Sequence, residues 1–223
     1  VAVLNPRRET EDHPIKGLCG AGVAFKLSMA LNGAPNDLDI AALGTVADVV
    51  PLLGENRVIT ALGLRHIAKH RRLGIEKLAR EAGFDLADIS SEKIGFQLGP
   101  RLNAAGRLDD ARVALELLLT ESPDRAAAIA RLLNHANEER RAIEKRIFEE
   151  AVEELDAFFR EEQRAIVVAR QGWHTGVIGI VAARLVGRYN RPVVMLNLEE
   201  DGTARGSARS IPGFDLMEAL TVC

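Results

Sequence analysis

A long, uninterrupted helical pattern constrains this chain more than any other feature. It begins at Ser122–Asp124, where a capping hydroxyl, a proline at the first helical position and an acid follow one another. Nothing breaks the pattern between Arg125 and Arg160. The sequence therefore predicts one long helix, or two placed nearly end to end, spanning ~50 Å at ~1.5 Å per residue. We expect an acidic, mostly solvated connecting helix over 121–162.

The residues after this helix are typical of a β-α-β unit. Short apolar strands are predicted at 165–169 and 192–197, with a helix at 177–189 between them and a third strand at 203–210. A strand, a helix and a strand within about 30 residues predict two parallel strands joined by a crossover helix. The fold class is therefore α/β, and 163–223 form a separate unit.

The residues before the long helix are predicted to be mainly helical. Helices are expected at 20–32, at 37–47 with Asp37 as the cap, and over one or two segments within 55–82. Residues 94–110 show no sustained period and contain three glycines. We predict that this stretch is mainly loop, and long loops often carry function.

Composition excludes several classes of protein. The 223 residues are 47% hydrophobic, enough to form a core, and ordinary glycine and proline contents exclude collagen-like and disordered chains. Only two cysteines, Cys19 and Cys223, favour a reducing, cytoplasmic setting over a disulfide-rich one. No apolar run reaches the roughly 18 residues of a membrane span, and no secretory signal is present.

Because Val1 stands in place of Met, we expect a fragment or a processed chain.

Charge is divided unevenly along the chain. The formal net charge is -3, which by itself argues against binding to nucleic acid. Residues 121–162, however, hold 12 acids and 7 bases, whereas 163–214 carry a net charge of +4. The basic segment predicts an anionic ligand in the C-terminal unit.

Asp48 is the first candidate site residue. It lies in GTVADVVPL (44–52), at the predicted end of a helix and before a proline turn. A carboxylate there can bind a hard cation or act as a base. It can equally be an ordinary residue of a C-terminal turn, and the pattern alone does not decide between these interpretations.

The segment GPRLNAAGR (99–107) is the second candidate. Arg101, Asn103 and Arg107 stand among small residues, so they can offer planar donor groups to a phosphate that approaches the backbone closely. The alternative is a tight Gly-Pro turn with surface arginines. Composition leaves the two interpretations open.

Two segments of the C-terminal unit form the third candidate. In GWHTGVIGIVAAR (172–184), a turn before a helix offers His174 and free backbone N–H groups to an anion, while Trp173 is expected to pack. In ARGSARS (204–210), a glycine allows close approach of a phosphate and polar side chains supply donors. Together they predict a phosphodiester-binding cleft.

A histidine pair is a weaker candidate. His66 and His70 are four residues apart on a predicted helix, a spacing that can ligate a metal. No third ligand is nearby in the sequence, and the flanking Lys69, Arg71 and Arg72 disfavour a cation.

Taken together, these segments resemble a known family. GTVADVVPL, GPRLNAAGR, GWHTGVIGIVAARL and GSARSIPGFDL occur in the order and spacing of the RecJ family of single-stranded-DNA-specific exonucleases, in the DHH phosphoesterase superfamily. The resemblance covers nearly the whole chain. It implies the C-terminal part of a DHH domain at 1–120, a long connecting helix at 121–162 and a DHHA1 domain with a mixed sheet at 163–223.

The resemblance also implies an activity. It is the metal-dependent 5′ to 3′ hydrolysis of phosphodiester bonds of single-stranded DNA, in DNA repair and recombination, by a centre of two Mn²⁺ or Mg²⁺ ions. The implied partners are single-stranded DNA and repair proteins such as a single-strand-binding protein or a helicase. A monomer in the bacterial cytoplasm is expected.

The resemblance also implies roles for individual residues of this chain, wherever a motif of the family matches. Asp48 matches the last metal-ligand motif of the family and is the expected catalytic and metal residue. The substrate-binding residues implied are Arg101, Asn103, Arg107, His174, Gly206, Ser207, Arg209 and Ser210. The family's Asp-His-His signature is absent and is expected upstream of Val1, so we expect the isolated chain to be inactive.

Two alternatives stay open at this point. One is a phosphodiesterase of the same superfamily that cleaves short oligonucleotides or cyclic dinucleotides. The other is a catalytically inactive DNA-binding fragment. The long helix and the 99–107 segment favour the exonuclease.

Overall fold

The computed structural model describes residues 3–8, 14–108 and 110–222, so Val1 and Cys223 lie outside the described residues. The chain divides into two compact units, 1–137 and 138–223, which we describe in turn. The division falls inside the long helix. One part of that helix therefore belongs to the first unit and the rest to the second.

In the part of the first unit that the structure describes, all regular elements are helices. Its elements in chain order are 3-10 helices at Pro6–Arg8 and Pro14–Gly17, α1 (Gly20–Asn32), α2 (Leu38–Ala47), α3 (Gly54–His70), α4 (Leu73–Glu81), a 3-10 helix at Leu86–Asp88, α5 (Ser91–Lys93), a π-helical segment at Ile94–Leu98, α6 (Gly99–Leu108), α7 (Arg112–Leu119) and the start of α8 (Pro123–Phe158). The helices predicted at 20–32, 37–47 and 55–82 are confirmed. Asp37 is the N-cap residue of α2, as predicted, but its side chain makes no capping hydrogen bond and instead accepts from Ser28 Oγ at 2.8 Å.

Helix α2 packs at close range because glycines stand at its contacts. A Cβ on Gly63 of α3 would lie 2.2 Å from Ala42 Cβ and 2.8 Å from the Leu38 carbonyl oxygen. A Cβ on Gly44 would lie 2.4 Å from Ala21 Cβ of α1. Because glycine has no side chain at these two positions, α2 can approach α1 and α3 closely. The C-terminal half of α2 therefore lies beside α1.

The prediction of a loop at 94–110 is wrong, because the stretch is helical as far as Leu108. The Gly99 N–H donates to the carbonyl oxygen of Ile94, five residues earlier, which is π-helical geometry. This wider turn changes the spacing between the buried residues before it and those after it. The apolar residues therefore do not recur at the spacing of a regular α-helix, and the sequence pattern does not reveal the helix. A Cβ on Gly99 would lie 3.0 Å from the Ile94 carbonyl oxygen and 3.4 Å from Ala47 Cβ, so the tighter of the two contacts is within the π-helical turn itself.

Helix α8 is a single helix of 36 residues, which is one of the two arrangements that the sequence predicts. The Arg125 N–H donates to Ser122 Oγ at 3.3 Å, which confirms the predicted cap. The helix is not solvated all round, because one stripe of it is buried. In the first unit this stripe consists of Ala126, Ile129, Ala130 and Leu133, and in the second of Ile147, Ala151 and Leu155.

The second unit contains a three-stranded mixed sheet. Its elements after α8 are β1 (Ile166–Gln171), α9 (Thr175–Tyr189), β2 (Val193–Leu198), β3 (Ala204–Arg209) and α10 (Leu216–Val222). The strand order is β1-β2-β3, with β1 parallel and β3 antiparallel to β2. The predicted α/β class, β-α-β unit and mixed sheet are therefore confirmed.

Helix α9 lies against the sheet and reaches β3. Its buried face consists of Val177, Ile178, Val181, Ala182 and Leu185. At Gly179 a Cβ would lie 2.8 Å from Ser207 Oγ and 3.0 Å from Arg209 Nη2. The absence of a side chain at Gly179 thus brings the N-terminal half of α9 next to the polar residues of β3.

Candidate functional site

Asp48 caps the C-terminal end of α2 at the edge of a cleft in the first unit. Its N–H donates to the Gly44 carbonyl oxygen at 3.0 Å, and its side chain is exposed. The cleft has a volume of about 330 Å³ and is lined by Asp48, Asn103 and small residues of α1 and α2. The structure therefore brings together two residues predicted from separate segments.

The backbone is strained directly after Asp48. Val49 has a φ of 56°, in the left-handed region, and its side chain is 86% exposed. A β-branched residue is unfavourable in this region, at a cost of ~1–3 kcal/mol. Such strain is concentrated at functional sites, and here it directs the chain away from α2 immediately after the carboxylate.

The three polar residues of the 99–107 segment lie on α6 and differ in their surroundings. Arg101 donates from Nε to Asn134 Oδ1 at 2.9 Å and from Nη1 to the Gln97 carbonyl oxygen at 2.8 Å, so it holds α6 to α8. Asn103 and Arg107 are exposed and, at i and i+4, share one face of the helix. The segment thus presents a helix face rather than the predicted loop.

The cleft supplies only part of a metal centre. Hard divalent cations take six or more oxygen ligands, including carboxylates. The cleft offers the carboxylate of Asp48 and the amide of Asn103. Within the described ranges no three His, Cys, Asp or Glu side chains gather into a metal-binding group. The residues present therefore do not fit a pair of cations on their own.

In the second unit, His174 caps the N-terminus of α9. Its Nδ1 accepts from the Gly176 N–H at 3.1 Å, and its carbonyl oxygen accepts from Val177 and Ile178 at 2.9 and 3.1 Å. The prediction of free N–H groups is wrong for these three amides, because His174 itself satisfies them. Since Nδ1 is an acceptor, the neutral ring carries its proton on Nε2.

Trp173 anchors the turn that carries His174. It is 2% exposed, which confirms the predicted packing role. Its Nε1–H donates to Glu150 Oε2 of α8 at 2.8 Å. The sequence contains no signal for this contact, since Glu150 is one of many acidic residues on α8 and its partner comes from a different element.

The polar side chains at the end of β3 are connected locally. Arg209 donates from Nη1 to Ser207 Oγ at 3.0 Å and to the Ala208 carbonyl oxygen at 2.7 Å, and it is exposed. Ser210 Oγ donates to the Phe214 carbonyl oxygen at 2.7 Å and so supports the turn after β3. The guanidinium of Arg209 is thus pre-oriented at the surface, a suitable state for binding a phosphate.

Gly206 has no room for a side chain. A Cβ there would lie 2.4 Å from Leu196 Cδ2 and 2.6 Å from the Met195 carbonyl oxygen of β2. Packing within the sheet therefore accounts for the glycine, which stands next to Ser207 at the candidate site.

Comparison with known proteins identifies the relatives of both units. Residues 162–223 match the family described as DHHA1 domain. The single-stranded-DNA-specific exonuclease RecJ of Bacillus subtilis (strain 168) is 44% identical over 225 residues, which cover 100% of this chain and 28% of that protein. The RecJ of Haemophilus influenzae is 40% identical, and the aligned region covers 98% of this chain and 41% of that protein. The chain thus spans less than half the length of these relatives.

Solved structures are similar to the chain as well. RecJ in complex with Mg²⁺ from Thermus thermophilus has a TM-score of 0.84 and 35% identity, covering 97% of this chain and 34% of that one. An exonuclease RecJ bound to manganese has a TM-score of 0.81 and 34% identity, covering 95% of this chain and 53% of that one.

In the described residues no helix is long and apolar enough to cross a membrane.

Proposed function

This chain is homologous, over nearly its whole length, to part of the RecJ family of single-stranded-DNA-specific exonucleases, and we propose that it forms the DNA-binding part of such an enzyme. The whole enzyme hydrolyses phosphodiester bonds of single-stranded DNA in the 5′ to 3′ direction, in DNA repair and recombination. The observation that carries the proposal is the cleft in which Asp48 and Asn103 meet, because both belong to segments that the homology covers.

Asp48 is the single metal ligand that we assign to this chain. The exposed carboxylate at a strained helix end supports this role. Mn²⁺ or Mg²⁺ is the proposed metal, since the similar structures hold one or the other. The described residues of this chain do not complete a site for a pair of cations.

The remaining site residues are proposed to bind the DNA backbone. In the first unit these are Arg101, Asn103 and Arg107, and in the second His174, Gly206, Ser207, Arg209 and Ser210. The net charge of +4 over 163–214 supports an anionic ligand there. We assign 1–120 to the C-terminal part of a DHH domain and 121–162 to a long connecting helix. We assign 163–223 to a DHHA1 domain, and the match at 162–223 supports this last assignment.

The proposal extends to partners and location. We propose a monomer in the bacterial cytoplasm that acts on single-stranded DNA beside a single-strand-binding protein or a helicase. The bacterial sources of the relatives and the low cysteine count support this setting.

The test measures DNA binding and hydrolysis by the 223-residue chain. In fluorescence anisotropy we expect it to bind a labelled single-stranded oligonucleotide more tightly than the duplex, with an affinity that falls as salt rises. We expect no release of nucleotides with Mn²⁺ or Mg²⁺. Absence of binding would contradict the DNA-binding role, and EDTA-sensitive hydrolysis would contradict the assignment of a single ligand. Displacement by a cyclic dinucleotide at equal concentration would favour the phosphodiesterase alternative.

A further inference from the structure

The turn between β1 and α9 is tied to α8 by one side chain. Trp173, the only tryptophan of the chain, donates from Nε1 to Glu150 Oε2 at 2.8 Å. The Glu150 side chain is 30% exposed, and its oxygens lie 3.8 Å from Arg170 Nη1 and 4.0 Å from Arg146 Nε. The carboxylate therefore lies between two arginines while it accepts the indole N–H.

This contact acts on the residue that follows Trp173. Gly172, just before it, has a φ of 84°, so the chain turns sharply there. His174, just after it, uses its ring and its carbonyl oxygen to cap α9. Because Trp173 and His174 are consecutive, the position of the buried indole sets the position from which the imidazole projects.

We propose that Glu150 is a positioning residue that holds Trp173, and through it His174, in the arrangement that binds single-stranded DNA. The role rests on the DNA binding proposed above. Glu150 lies on α8, outside the four segments in which the site residues occur. It acts through the indole and the turn, and makes no contact with the substrate.

Electrostatics allow this role to be separated from a simple charge effect. A carboxylate near the binding surface repels anionic DNA, so removal of an ordinary surface glutamate strengthens binding. Loss of a positioning contact weakens it. The two roles considered for Glu150 therefore predict opposite changes in DNA affinity when Glu150 is replaced by alanine.

The experiment compares variants of the full chain by DNA affinity and by Trp173 fluorescence. We expect Glu150→Ala to weaken binding to a single-stranded oligonucleotide about fivefold, the factor for one typical hydrogen bond. Its emission should move to longer wavelength as the indole gains contact with water. Glu150→Gln, which keeps an acceptor oxygen, should restore both quantities. Glu149→Ala, which removes the same charge from an exposed position of α8, should leave the emission unchanged and bind as tightly as the unaltered chain or more tightly.

If Glu150→Ala does not fold, Glu150→Asp is used in its place. It keeps the charge and shortens the side chain by one methylene, so the same loss of affinity and the same spectral shift are expected. Unchanged or stronger binding by the folded Glu150→Ala or Glu150→Asp variant, with unchanged emission, would overturn the role of Glu150 alone. If the unaltered chain itself does not bind the oligonucleotide, the proposed function fails and this role fails with it.

Discussion

Arg72 and Asp39 form an ion pair that joins α2 to the start of α4. Arg72 Nε lies 2.5 Å from Asp39 Oδ2, and Nη2 lies 3.2 Å from Oδ1. Arg72 Nη1 also donates to the Leu118 carbonyl oxygen of α7 at 3.2 Å. Asp39 is only 3% exposed. Since a buried carboxylate is costly without a partner, this pair secures the helix that carries Asp48.

We predict that Arg72→Met destabilises the first unit. The variant keeps most of the aliphatic stem but leaves Asp39 buried without its cation. We expect the free energy of unfolding to fall by about 2–3 kcal/mol, below the usual range for breaking a fully buried pair, because Arg72 is partly exposed. Urea unfolding measures this loss.

Arg71→Met is the matched control for that experiment. Arg71 is the preceding residue and is also paired, with Asp85 at 2.8 Å, but both partners are exposed. We expect a much smaller loss of stability. Equal losses for the two variants would contradict the importance assigned to the Arg72–Asp39 pair.

Glycine-to-alanine changes in two helices should have opposite effects. At Gly63, the new methyl would lie 2.2 Å from Ala42 Cβ, so we expect a loss of ~1–3 kcal/mol through overpacking. At Gly187 of α9, nothing lies within 4 Å of the added methyl. Gly187→Ala should therefore stabilise the chain by ~0.5–1 kcal/mol through helix propensity. Thermal unfolding tests the pair, and stabilisation by Gly63→Ala would contradict the close packing of α2 on α3.

The stability of the first unit should fall as the pH falls below about 6.5, the ordinary pKa of histidine. Burial, the neighbouring His70 and Arg72 lower the pKa of His66, although Asp39 acts in the opposite direction. The rings of His66 and His70 stack at 4.1 Å, and among the described residues His66 Nδ1 has no hydrogen-bond partner. Because the unfolded chain then binds this proton more readily than the folded chain, acidification through this range favours unfolding.

Urea unfolding between about pH 7.5 and 5, a range that brackets the ordinary histidine pKa, measures that dependence. His66→Gln should reduce the slope of the free energy of unfolding against pH. His135→Gln, which changes an exposed histidine of α8, is the control. A slope that His66→Gln leaves unchanged would exclude His66 as its source.

Arg209→Ala should weaken binding to single-stranded DNA and reduce its salt dependence. A phosphate contact on a single strand contributes about 0.7 to the slope of log K against log salt, so we expect the magnitude of the slope to decrease by about that amount. Arg205→Ala removes the same charge from the same strand, but Arg205 is ion-paired with Glu199 at 3.1 Å. Anisotropy titrations at several salt concentrations compare the two variants. A larger effect at Arg205 would argue against the proposed phosphate contact.

Local signals in the sequence predicted much of the fold. The cap at Ser122 and the unbroken period after it predicted α8, and the spacing of apolar segments predicted β1, α9 and β2. These features depend on interactions within a few residues, which is why they can be recognised without tertiary structure. The stretch at 94–108 could not be predicted in this way, since its π-helical turn alters the period on which such a prediction depends.

The sequence by itself determined which residue types are available at the candidate site, and only the tertiary structure decided what each of them contacts. Asp48 at the end of α2 and Asn103 of α6 line one cleft, together with small residues from α1 and α2. Arg101, which has the same donor groups as Arg107, holds α6 to Asn134. Contacts of this kind join residues far apart in sequence, and their geometry follows from packing rather than from any local pattern.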